Sequence, residues 1–173
     1  EKGRWSNVPP GKHGGNFDNP DMVQGTVLYL PVWVKGAGFK TGDSHLAQAS
    51  ECNVSALEGC YRNITLRLTV RKDLGNLLGK WPFCSTPTHW MAIGLHTDLW
   101  ESTKMAALHA IEFLNKYYGM DKDEAYAFVS MAAPLQITQL CDYTLGVHAM
   151  IPKACFYGPQ HKGKDELIIH KKA

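Results

Sequence analysis

"THWMAIGLHTDLWESTKMAALHAIEFLNKYYG", residues 88–119, contains the change of periodicity that sets the fold class. Residues 88–95 form an apolar run of strand length and read as a strand. Thr97 or Asp98 then offers an N-cap, and Leu99, Thr103, Ala106, Ala110, Phe113 and Tyr117 recur at three- and four-residue steps up to Gly119. That spacing predicts an amphipathic helix of about five to six turns, closed by the glycine.

On the C-terminal side, "DKDEAYAFVSMAA" predicts a second helix. Asp121 and Glu124 stand three apart, as in a capping box, and Pro134 ends the helix. "QITQLC" and "VHAMIP" read as two short strands around a turn at "DYTLG". On the N-terminal side the pattern is β. In "YRNITLRLTVR", 61–71, Ile64, Leu66, Leu68 and Val70 alternate with Thr65, Arg67, Thr69 and Arg71. This predicts a half-exposed antiparallel strand with "NVSALEG" as its partner. "TVLYLPVWV", 26–34, reads as a strand buried on both faces, with Pro31 pushing it to an edge or marking a bulge.

The expected class is α+β: a β-sandwich-like sheet followed by a portion of two helices and short strands. The expected organisation is a leading loop at 1–25, a β-rich portion at 26–95, an α+β portion at 96–156 and a polar tail at 157–173. The chain begins on Glu1 inside a Pro/Gly-rich loop, which suggests a fragment or a processed product.

Composition narrows the function classes. The 173 residues are 45% apolar and 20% charged, an ordinary folded composition. Eighteen basic against sixteen acidic side chains give a net charge of +2, too balanced to suggest nucleic acid or an anionic membrane as partner. No run reaches membrane-span length. Five cysteines without a C-x-x-C pair suit a reduced, cytoplasmic setting better than a disulfide scaffold. The sequons at Asn53 and Asn63 fall in strand-like sequence and carry little weight.

Groups able to do chemistry are paired at i, i+2: Asn16 with Asp18 in "HGGNFD", and Asp43 with His45 in "TGDSH", with Gln48 just after. Glu51 and Glu58 bracket "CNVSAL". On extended backbone such pairs point to one face and can grip one ion or one substrate. Zinc and iron both accept mixed imidazole and carboxylate ligands. Turn chemistry alone also accounts for Asp43 after Gly42, and His148 within "GVHAMI" reads as a satisfied core histidine. There is no G-x-S-x-G elbow, P-loop or dinucleotide fingerprint. Ser44 lies between Asp43 and His45 but would point to the opposite face, and Cys52 beside Glu51 is a weaker nucleophile candidate.

Longer matches carry a resemblance. "PPGKHGGNFD", "GTVLYLPVWVKGAGFKTGDSHLAQ", "TPTHWMAIG", "DEAYAFVSMAAPLQITQLCD" and "GVHAMIPKACF" resemble, in order, the C-terminal half of the acetamidase/formamidase family, from Pro9 to Phe156. The second stretch matches the family pattern G-x-x-LYLPV-x-V-x-GA-x-x-x-x-GD-x-H-x-x-Q. The resemblance implies metal-dependent hydrolysis of a short amide, such as formamide or acetamide, to ammonia and carboxylate. It also implies a divalent metal, zinc or alternatively iron, and a homo-oligomer. Asp43, His45, Asn16 and Asp18 would serve the metal, and Glu51, Glu58 and Gln48 the catalytic steps. His89 and Gly15, inside matched segments, would contact substrate.

The chain reads "QASE" where family members read "QGDGE", so Glu51 matches only with a one-residue gap. The N-terminal half of the family, expected to complete the site, would then be a separate partner chain. A non-catalytic binding or structural subunit that keeps the fold is the alternative reading.

Overall fold

The computed structural model describes residues 3–52 and 55–156. The tail at 157–173 and the sequon asparagine Asn53 lie outside the described residues. The architecture is mixed α+β, as the sequence predicts.

At its centre is β5, His89–His96, which pairs antiparallel with β4, Phe83–Ser85, and with β7, Leu145–Pro152. β1, Val27–Tyr29, extends one edge, and β6, Leu135–Gln139, extends the other, in the order β1-β4-β5-β7-β6. One sheet thus takes β1, β4 and β5 from the portion read as β-rich and β6 and β7 from the portion that follows.

β5 is buried over most of its length because both of its faces are covered. Trp90 and Ala92 face a helical layer, while Met91, Ile93 and Leu95 pack with Cys84 and Met150 beneath Phe17, Met22, Leu28 and Trp81. The layer is α2, Leu99–Phe113, and α3, Lys122–Ala132; a single helical turn, α1, Gly75–Leu78, precedes β4. Asp98 caps α2 by accepting from the Glu101 amide at 3.0 Å, and Asp121 and Glu124 form the full capping box of α3.

The end of α2 departs from the regular helix expected. Its last turn, Leu114–Tyr118, widens to a π-helical turn before Gly119 closes it at φ 76°. That turn buries both Tyr117 and Tyr118. Tyr117 stacks on Phe113, and Tyr118 stacks on Phe156. Gly94 lets α2 lie close to the sheet, since a Cβ there would come within 2.2 Å of the Ser102 carbonyl oxygen. Ser102 fastens the helix by donating to the Leu145 carbonyl at 2.7 Å.

Two β expectations need correction. Residues 61–71 form no strand; Ile64, Leu66, Leu68 and Val70 are all exposed. The partner proposed for them is taken, because β3, Leu57–Gly59, pairs instead with β2, Ser44–Ala47. Alternation prepares a strand but supplies no ladder, and 61–71 joins no β-ladder among the described residues. The run 26–34 pairs only over β1, which is half-buried rather than covered on both faces. Pro31, which has no N–H to donate, lies beyond its end, and Val32, Trp33 and Val34 are exposed.

Candidate active site

The β2–β3 hairpin sets the site. His45 and Glu58 are directly opposed across it, followed by a register shift between His45 and Ala47. His45 Nε2 lies 3.6 Å from Asp43 Oδ1 and 3.6 Å from Glu58 Oε1. Asp43 reaches this position with φ at 56°, the left-handed region that Asp tolerates better than most residues. The other ring nitrogen, Nδ1, is 2.8 Å from Gln48 Oε1. Gln48 Oε1 can only accept, so Nδ1–H donates to it and the ring is held with Nε2 directed at the two carboxylates. Gln48 in turn donates from Nε2 to the Asp18 carbonyl, which ties the hairpin to the leading loop. The Gln48 hydrogen bond, followed by the charges of Glu58, Asp18 and Asp43, holds the His45 imidazole above its ordinary pKa.

These groups line an open cleft of about 660 Å3. Asn16, Asp18, Asp43, His45 and Glu58 form one side. Cys52, from the loop after β2, lines the cleft too, as do Cys141 and Asp142 from the turn between β6 and β7, where Asp142 and Tyr143 both take positive φ (60° and 55°). Cys52 Sγ and Cys141 Sγ are 3.0 Å apart. Both approach one oxygen, Asp18 Oδ2, at 3.2 and 3.0 Å. Burial pushes Asp18 upward, but hydrogen bonds from Cys141, Asp142 and Cys52 outweigh it and leave its carboxyl below the ordinary value. Burial, reinforced by the Asp18 contact, pushes Asp142 the other way, above the ordinary carboxyl value. Burial also pushes the Cys52 thiol up to about 11 and raises Cys141 further. Both thiols stay protonated near neutrality, which counts against Cys52 as a nucleophile.

Two trios therefore offer donor atoms within 4.8 Å of one another: Asp43, His45 and Glu58, and Asp18, Cys52 and Cys141. In the first set the His45 imidazole, oriented from behind by Gln48, and the Asp43 carboxylate suit a zinc-class ion, with the Glu58 carboxylate beside them.

The comparisons bear on this cleft. The sequence profile of the Acetamidase/Formamidase family matches residues 2–157. The chain belongs to that family. It is 29% identical to a formamidase of Methylophilus methylotrophus over 86% of its own length and 39% of that protein's. It is 24% identical to an acetamidase of Mycolicibacterium smegmatis over 83% and 40%. Among solved structures, an acetamidase from Yersinia enterocolitica superposes with a TM-score of 0.71 at 25% identity, covering 86% of this chain and 44% of that one. A predicted acetamidase/formamidase from Thermoanaerobacter tengcongensis gives 0.68 at 22% identity, covering 86% and 48%. The chain thus spans less than half the length of these relatives.

The remaining candidates of this Acetamidase/Formamidase member divide between those that line the cleft and those that do not. Asn16 lines it while its Nδ2 donates to the Val8 carbonyl at 3.1 Å. Gln48 stands behind His45. Glu51 is exposed and outside the cleft lining, whereas Glu58 lies in it. Gly15 shapes the leading loop at φ 99°, next to Asn16. His89 sits at the far end of β5, opposite Pro152, whereas the cleft residue Leu145 pairs with His96. Seven residues of strand, about 23 Å, therefore separate His89 from the cleft end. His148 is fully buried, with Nδ1 2.9 Å from Thr138 Oγ1 and Nε2 3.0 Å from Asp21 Oδ2. It is the satisfied core histidine the sequence suggests. Cys141 carries no sequence signal, because its partner Cys52 is 89 residues away.

Among the described residues no helix is long and apolar enough to cross a membrane.

Proposed function

We propose that this chain contributes the metal-binding wall of an enzyme that hydrolyses a short linear amide, formamide or acetamide in type, to ammonia and a carboxylate. The observation that carries the reading is His45, held at 3.6 Å from both Asp43 and Glu58 and oriented from behind by Gln48. Family membership supplies the reaction class.

Asp43 and His45 would hold the ion, zinc or alternatively iron, with Asn16 and Asp18 supporting that wall. When bound, such an ion polarises the amide carbonyl and acidifies water. Glu58, facing the same imidazole, takes a proton from the attacking water and delivers it to the leaving amine. Gln48 orients the His45 ring so that Nε2 faces Asp43 and Glu58. The open cleft admits a molecule far smaller than its volume, so further walls are needed to orient a formamide-sized substrate. We assign those walls to the rest of the family's length, carried by a companion chain or by a longer form of this one, in a homo-oligomer.

The test is amide hydrolysis by the protein together with that companion portion. His45→Ala should lower kcat by about a thousandfold and reduce bound zinc without unfolding the chain. Glu58→Gln should lower kcat and leave zinc content unchanged. Full activity in His45→Ala would overturn the assignment. A folded, metal-free, inactive assembly would favour a binding subunit instead.

A further inference from the structure

We infer that Cys52, Cys141 and Asp18, with Asp142 beside them, form a second cation site, selective for a soft divalent ion of the zinc class and separate from the His45 cluster. The three principal donors come from three distant segments: the leading loop, the loop after β2 and the turn after β6. They converge as a closed triangle. Its sides are 3.0 Å between the sulfurs and 3.2 and 3.0 Å from each sulfur to Asp18 Oδ2. Asp142 Oδ2 stands 3.3 Å from Cys141 Sγ, beside the triangle.

Two features favour an ion over the bare thiols. Asp18 Oδ2 is within hydrogen-bond reach of both thiols, which also touch each other, so the two thiol protons crowd around one small triangle. One divalent ion replaces these two protons with no change in net charge; the protons leave to solvent and the two thiolates become ligands. The sizes also fit. Around tetrahedral zinc, sulfurs stand about 3.8 Å apart and sulfur and oxygen about 3.5 Å apart, so each side need open by only about 0.3 to 0.8 Å. A disulfide is less compatible. It would remove both donors from Asp18 and leave its carboxylate beside Asp142 with neither S–H to satisfy it. Thiolate ligands set the metal class: zinc, or cobalt as its probe, rather than magnesium or calcium.

The ion's effect is mechanical. The β2–β3 hairpin carrying His45 is joined to the end of the main sheet at the Cys52–Cys141 contact. An ion there would clamp the hairpin to the β6–β7 turn and to the leading loop, fixing the wall on which His45 stands.

Cobalt(II) titration of the reduced protein tests the inference. The expected result is a sulfur-to-cobalt charge-transfer band saturating at one equivalent, absent from Cys52→Ser and Cys141→Ser and retained in His45→Ala. A second measurement needs no variant. Zinc should slow alkylation of Cys52 and Cys141 by on the order of tenfold, while the exposed Cys60 and Cys155 react unchanged. The inference is overturned if no band forms, if the band survives loss of both cysteines, or if zinc leaves the alkylation rates of Cys52 and Cys141 unchanged. None of these readouts uses amide turnover, so an inactive protein with an intact band would sink the hydrolysis reading alone.

Discussion

Phe113 and Leu68 both sit in strongly patterned sequence, yet Phe113 is 1% exposed and Leu68 is 69% exposed. The helix that carries Phe113 lies across a sheet whose strands pair β4 to β5 to β7, and every apolar position on its inner face finds a neighbour. The segment that carries Leu68 alternates more cleanly than β5 does but pairs with no strand among the described residues. A period states which face is apolar; burial also requires something to lie against that face. Ile64, Leu66, Leu68 and Val70, like Val32, Trp33 and Val34, are exposed apolar side chains.

The contrast can be broken most forcefully in the packed half. Phe113→Ala removes a ring in contact with Phe83, Trp90, Tyr117 and Tyr118, and should cost about 4 kcal/mol in denaturant unfolding. Gly94→Ala should cost about 2 to 3 kcal/mol, because the new methyl meets backbone of α2 rather than a side chain that can move. A loss below about 0.5 kcal/mol would mean that α2 sits further from β5 than described. Asp121→Ala, which opens the capping box of α3, should cost about 1 kcal/mol by thermal melting.

Acid should produce a smaller loss through His148. Burial holds its imidazole below the ordinary value of 6.5, against the opposing pull of Asp21. The unfolded chain therefore takes up this proton first on acidification. Stability falls as pH drops through about 6.5 and goes on falling until the lowered folded value is reached. His148→Asn should flatten the part of the melting-temperature profile due to this residue, whose facing groups are Asp21 and Thr138. Leu68→Ser, in the open half, should change the stability of the isolated chain by less than about 0.5 kcal/mol. In the assembly with a companion portion the same change should weaken association. An equal effect in both settings would show that the ribbon already has an intramolecular partner.

Part of the site is legible in the sequence. The i, i+2 pairing of Asp43 with His45 needs only extended backbone, and the two side chains do meet. Between the two glutamates sequence could not choose. Glu58 faces His45 because β3 pairs with β2 in that register, while Glu51 lies outside the cleft lining. His89 shares a matched segment but stands at the wrong end of β5, because the cleft forms where β7 begins rather than where it ends.

The sequence by itself determined the element types from residue 88 to 152, the caps at Asp121 and Gly119, the helix stop at Pro134 and the family. These are local properties, decided by a few neighbouring residues through period, capping hydrogen bonds and backbone preference. Only the tertiary structure decided that Cys52 meets Cys141, that both converge on Asp18, and that 61–71 stays open. Those outcomes depend on pairing register and on chain segments 34 to 123 residues apart, and no short-range pattern carries that information.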